Sequence, residues 1–198
     1  MIVLPQSFYA RDALDVARDL IGKLIHQDSI VLRITETEAY RYPNDSANHC
    51  RFGKTKRNEV MFGPPGHAYV YLCYGLHHML NCVTGHEHEG AAVLVRSCEP
   101  VSGFDLIQKR RGNIQGPNLL TGPGKVGAAL KLSTQYNHHP LFQKGGLQVL
   151  DAPTPPSILK GQRVGIDFAE ESDRLAPWRF ALANSDWVSH KKSLCHLQ

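Results

Sequence analysis

The 198-residue chain has no Cys-x-x-Cys pair, no His-Glu-x-x-His, no Gly-x-Ser-x-Gly elbow and no phosphate-binding P-loop. Its five cysteines, Cys50, Cys73, Cys82, Cys98 and Cys195, are odd in number and scattered, which argues against a disulfide framework and against a cysteine zinc site. No apolar run approaches the roughly 18 residues that a spanning helix needs. Met1 to Ser7 lacks the charged start and apolar middle of a signal peptide. The charge surplus is small, +4 with neutral histidines, so charge alone does not establish a nucleic-acid partner. What remains is a soluble, intracellular chain with 42% hydrophobic residues, enough to bury its own core as a single domain over residues 1–198.

Asp12 can cap a helix whose apolar stripe is Leu14, Val16, Ala17, Leu20 and Ile21, with Gly22 as its stop. Ile30 to Tyr40 alternates as a strand, placing Ile30, Leu32, Ile34, Glu36 and Glu38 on one side and Val31, Arg33, Thr35 and Thr37 on the other. Arg41 to Gly66 has no period and reads as a long loop, a kind of segment that often carries function. Strands follow at Ala68 to Tyr74, Met79 to Val83 and Ala91 to Cys98, the last apolar on both faces and therefore central. Gly103 to Arg110 and Val126 to Leu132 read as helices. Leu147 to Asp151, Gln162 to Ile166 and Trp178 to Ala183 read as later strands, and His190 to Gln198 as a loosely held end. Strands mixed with a few helices, without regular alternation, indicate an α+β fold: a curved, mainly antiparallel β-sheet with flanking helices.

The window from Arg33 to Arg96 concentrates the chemistry. A carboxylate at the end of a buried strand, Glu38, can orient and deprotonate a water, or can be ion-paired; Glu36 is its rival. Tyr40, His49 and Tyr71 can sandwich a planar base, or can be core aromatics. Tyr74, ahead of the turn glycine Gly75, protrudes and can wedge between base pairs. Asn81 offers a donor and an acceptor to a base edge, or satisfies nearby backbone. Arg96, in an apolar strand, needs an anion: Glu38, a phosphate or a structural acid. An aromatic slot with one carboxylate suits work on a nucleobase taken out of the helix.

Other patterns are weaker. His77-His78 and His86-Glu87-His88-Glu89 invite a metal, but the second group falls in a turn and no cysteine pair supports it, so no metal or other cofactor is expected. Gly122-Pro123-Gly124-Lys125-Val126-Gly127 matches G-x-G-x-x-G without a preceding strand; it reads equally as a phosphate contact through Lys125 or as a plain helix start. Lys54, Lys56 and Arg57 in the long loop, and Lys109-Arg110-Arg111, are either phosphate contacts or solvated surface.

Together the ordered motifs resemble the alkyladenine (3-methyladenine, methylpurine) DNA glycosylase family. The match runs through Glu36-Thr37-Glu38-Ala39-Tyr40, His49, Arg57-Asn58, Met61-Phe62, Pro65-Gly66 and Tyr69-Val70-Tyr71. It continues through Tyr74-Gly75, Asn81, Leu94-Val95-Arg96, Glu99-Pro100, Gly122-Pro123-Gly124-Lys125, Arg163-Val164-Gly165 and Trp187-Val188-Ser189. The resemblance implies a monofunctional glycosylase acting on alkylated or deaminated purines in duplex DNA, as a monomer and without a cofactor. Glu38 would activate the water, with Arg96 and the carbonyl of Val164 completing its shell. Tyr40, His49 and Tyr71 would hold the base, Asn81 would oppose the amino group of normal guanine, and Tyr74 would wedge the duplex with Leu76 beside it. Lys54, Arg57 and Lys125 would meet DNA. A non-catalytic module that binds lesions is the alternative reading.

Overall fold

The computed structural model describes residues 2–196. After a single helical turn, α1 (Gln6–Tyr9), Asp12 caps α2 (Ala13–Asp19) by accepting the Leu14 N–H at 2.8 Å. Val16, Ala17 and Leu20 form its buried stripe, as the periodicity predicts. Two strands follow, β1 (Leu24–Gln27) and β2 (Ile30–Tyr40). The expected hairpin is β3 (Ala68–Cys73) and β4 (His77–Thr84), and β5 runs further than its apolar core suggests, over Ala91–Ser102. Then come α3 (Phe104–Arg110), α4 (Pro123–Ala129), β6 (Gln148–Leu150), β7 (Ile158–Gly161), α5 (Glu171–Leu175), β8 (Arg179–Leu182) and β9 (Leu194–His196).

All nine strands among the described residues join one open antiparallel sheet, in the order β3-β4-β5-β2-β8-β7-β9, with β1 and β6 branching from β2. This is the expected α+β architecture. β2 is its spine: β5 covers one edge, while β1 and β8 share the other, β1 along Ile30 to Arg33 and β8 along Glu36 to Glu38. Helix α2 packs on β2, and Thr37 donates its hydroxyl to the Ala17 carbonyl at 2.8 Å.

Three expectations need correction. The alternation along β2 does not run through, because the register against β5 slips on both sides of Glu36. An irregular residue in a strand turns the following side chains over. Ala39 therefore joins Ile34 in the main core and Thr37 faces α2, while Glu36 and Glu38 lie on the opposite face from the one that alternation assigns. Gln162 to Ile166 is no strand. The chain leaves the ladder at Gly161, because the Val164 N–H bonds the Glu38 carboxylate at 2.7 Å and Arg163 turns inward to Asp45. Finally, the described part of the end from His190 is held, because β9 pairs with β7; Leu197 and Gln198 of that end lie outside the described residues.

The glycine-rich segment before and within α4 is a packing device. A Cβ on Gly127 would fall 1.9 Å from the His78 carbonyl oxygen, and one on Gly124 2.8 Å from the His77 ring. The helix thus lies directly on the backbone of β4. Gly127→Ala has to push α4 off the sheet, and the expected loss is about 3 kcal/mol, the upper end of ordinary overpacking. Urea unfolding measures it; a midpoint equal to the parent's would show that the close approach is unimportant.

Candidate active site

One end of the sheet opens into a cavity of about 470 Å³. β2, β3, β4 and β5 supply Tyr40, Tyr71, Asn81 and Arg96 to it; the long loop supplies His49 and Arg57, and the turn after β7 supplies Val164 and Phe168. The structure thus brings together, from six separate segments, Tyr40, His49, Arg57, Tyr71, Asn81, Arg96 and Val164, which the sequence reading singles out, and adds Phe168, which it does not.

Glu38 is fully buried against three residues of that lining. Its Oε2 accepts the Tyr40 hydroxyl at 2.8 Å; its Oε1 accepts the Val164 N–H at 2.7 Å and lies 3.2 Å from Arg96 Nη1. Burial first, and then the Glu38 charge, hold the Tyr40 phenol well above its ordinary value, so that it stays a donor. The contact at Val164 is made by its backbone N–H, not by the carbonyl that the resemblance assigns.

Glu36, the rival carboxylate, is also fully buried but is saturated. It accepts from Arg96 Nε at 3.1 Å, Arg179 Nη1 at 2.9 Å, the Ser97 hydroxyl at 2.6 Å, and both the Ser189 N–H and hydroxyl at 2.8 and 2.9 Å. Burial by itself would raise its pKa. Arg96, Ser97, Ser189 and Arg179 outweigh that and hold it below the usual glutamate value. Arg96 therefore answers both carboxylates at once, and Glu36 has no oxygen to spare for chemistry.

The aromatic walls are built from paired rings. Tyr69, buried, stacks on half-buried Tyr71 with centroids 5.6 Å apart, and His49 meets the edge of Tyr71 at 4.5 Å. His49 Nδ1 is 3.1 Å from the Tyr69 hydroxyl. The surrounding walls, then Arg57 and Arg51, lower the His49 pKa to about 4, so the imidazole is neutral at pH 7. Asn81, 4% exposed, commits its amide nitrogen to the Tyr69 carbonyl at 3.2 Å, leaving the amide oxygen for the cavity. The reading in which this asparagine satisfies nearby backbone is thus observed.

The loop that carries His49 is tied down from within. Asn58 donates to the carbonyls of His49 and Gly53 at 3.0 Å each and accepts the Thr55 N–H at 2.6 Å. Asn48 donates to Arg41 and Gly90 carbonyls at 2.5 and 3.1 Å. Below them Arg163 grips both Asp45 oxygens at 2.7 and 2.8 Å, with its guanidinium 4.8 Å from the Tyr40 ring centre. Arg163, Asp45, Arg179 and Ser189 had no assigned part in the sequence reading. An arginine inside an apolar strand, as at Trp178 to Ala183, is the signal that could have found Arg179.

At the rim, Tyr74 is 91% exposed on the tip of the hairpin between β3 and β4, and Leu76 stands exposed beside it. Tyr74 and Gly75 take φ of +50° and +70°, the type I′ pattern that suits a tight antiparallel turn. Lys54 is exposed in the loop and Arg57 lines the cavity. Lys125 is half-buried and donates to the Asn118 amide oxygen. The acidic histidine run closes a turn in which Glu89 accepts the His86 N–H at 2.8 Å.

The family model of methylpurine-DNA glycosylase matches residues 7–186. A DNA-3-methyladenine glycosylase of Arabidopsis thaliana is 56% identical over 195 residues, covering 98% of this chain and 76% of that protein. Proteins provisionally named 3-methyladenine DNA glycosylase match in Nitrosococcus oceani, 57% identical over 97% of this chain and 96% of theirs, and in Methanocella arvoryzae, 44% identical over 96% and 98%.

Proposed function

Because the chain belongs to the methylpurine-DNA glycosylase family, we propose that it is a monofunctional 3-methyladenine DNA glycosylase that takes damaged purines out of duplex DNA and hydrolyses their N-glycosidic bond. It acts as one domain spanning the chain, as a monomer without a cofactor, and starts base excision repair. Among the described residues no helix is long and apolar enough to cross a membrane. The observation that carries the mechanism is the position of Glu38: a buried carboxylate held by Arg96, Tyr40 and Val164 against the wall of an aromatic cavity.

The extruded purine lies among Tyr40, His49 and Tyr71, while Tyr74, with Leu76, fills the gap in the duplex. A water held by Glu38, Arg96 and the Val164 carbonyl attacks C1′ of the sugar. The glycosidic bond breaks, the purine leaves with the electron pair, and the water's proton passes to Glu38. The carboxylate's negative charge also favours the oxocarbenium-like sugar. A purine alkylated at N3 or N7 is already cationic and needs no proton. Hypoxanthine does need one, and neutral His49 is a poor source, so alkylated purines are the faster substrates. The Asn81 amide, in the cavity, opposes the amino group of normal guanine. Lys54, Arg57 and Lys125 meet phosphates.

No lysine lines the cavity among the described residues, which supports a reaction without a Schiff base. Duplex DNA containing one 3-methyladenine or 7-methylguanine is expected to yield free base and an abasic site, with no strand break before alkali and no adduct trapped by borohydride. Tight lesion binding with no base released would favour the non-catalytic reading.

A further inference from the structure

The proposed reaction leaves three side chains at the cavity rim without a part. The Arg51 guanidinium lies 4.7 Å from the ring centre of Phe52 and 5.1 Å from that of Phe168. Both rings are in water: Phe52 is 87% exposed and Phe168 63%. A single exposed phenylalanine needs no explanation. Here two, from opposite ends of the sequence, converge on one cation, and Phe168 also lines the cavity.

That cation is free. Arg11, Arg18, Arg41, Arg96, Arg163 and Arg179 all pair with carboxylates. Arg51 has no carboxylate partner among the described residues; its one side-chain hydrogen bond runs from Nη1 to the Asn48 carbonyl at 3.3 Å. Its contact with Phe168, which lines the cavity, sets it beside the cavity mouth. Lys54, Lys56 and Arg57 follow in the same loop, likewise without ion pairs among the described residues. Two phenyl faces hold a guanidinium by cation–π attraction and fix its direction, which leaves the planar N–H edge for an anion with two acceptor oxygens.

We propose that Arg51, held between Phe52 and Phe168, grips a backbone phosphate of the damaged strand beside the cavity mouth, with the two rings fixing its direction. The site rests on the DNA-lesion reading above and deepens it. A polyanion is favoured over an acidic peptide because the clamp is continuous with the cavity and with a run of further unpaired cations.

The test is binding of a duplex carrying a tetrahydrofuran abasic analogue, measured by fluorescence anisotropy across a potassium chloride series. Arg51→Ala is expected to weaken binding about tenfold and to reduce the slope of log K against log salt by roughly 0.9, the value for one phosphate contact. Arg51→Lys restores the slope but not the full affinity. Phe168→Ala and Phe52→Ala keep the slope and lose several-fold in affinity. Lys144→Ala, an exposed lysine outside the cavity lining, is the control and leaves both unchanged. An unchanged slope in Arg51→Ala overturns the proposal, as does parental affinity in both phenylalanine variants or tighter capture of polyglutamate than of duplex. Base release by the parent protein, assayed alongside, separates failure of the clamp from failure of the glycosylase reading.

Discussion

Glu38→Gln is expected to lower single-turnover release of 7-methylguanine from duplex DNA by about 10² to 10⁴-fold, the range for loss of a positioned general base. The amide keeps nearly the shape of the carboxylate. Its oxygen can still accept from the Val164 N–H, its NH2 group donates to the Tyr40 hydroxyl oxygen once that hydroxyl turns, and Arg96 keeps its contact with Glu36. Binding to an abasic analogue and the unfolding midpoint should therefore stay close to those of the parent. A glutamine has no lone pair basic enough to take a proton from water, and it carries no negative charge to face the developing cation. Release at the parental rate would remove Glu38 from the reaction. A collapse of binding together with release would mean that the side chain is architectural.

Glu36→Ala should have the largest effect on stability, about 3–5 kcal/mol in urea unfolding, the usual loss when one partner of a buried ion pair is removed. Two guanidiniums, on Arg96 and Arg179, and two serines converge on this carboxylate. Deleting it leaves their charges buried with fewer acceptors. A change below about 1 kcal/mol would show that water fills the gap and that the cluster is neutral in net effect. The same carboxylate predicts a pH limb. Its pKa is lower in the folded protein than in the unfolded chain, so its contribution is present above the ordinary glutamate range and is lost as pH falls through the folded value. Glu36→Gln should flatten that acid limb while keeping the packing.

The strand Ile30–Tyr40, the cap at Asp12, the hairpin with exposed Tyr74 and the central place of β5 were all legible in the sequence, because each rests on local period or turn chemistry. The facing of Glu36 and Glu38 was not. It depends on a bulge against β5, a relation between strands that neither strand displays alone. Gln162 to Ile166 misled for a similar reason: Arg163 and Val164 are claimed by Asp45 and Glu38, far away in the chain. Candidate site residues were visible by type and order. The holding roles of Arg179, Ser189, Asp45 and Arg163 were not, although Arg163 and Ser189 stand in the matched motifs, since buried polar partners are chosen by the fold and not by neighbours in sequence.

The loop Arg41 to Gly66 has almost no regular structure, yet Asn48 and Asn58 bind its backbone at five points within the loop itself. Its conformational entropy is therefore surrendered during folding, not during association. Under the proposed reaction, the protein would present a finished receptacle to each nucleotide it samples, and rejection of undamaged bases would rest on shape at the instant of entry. Discrimination of that kind leaves its mark in dissociation and capture rates, with no lag for loop ordering, and pre-steady-state traces should rise without one.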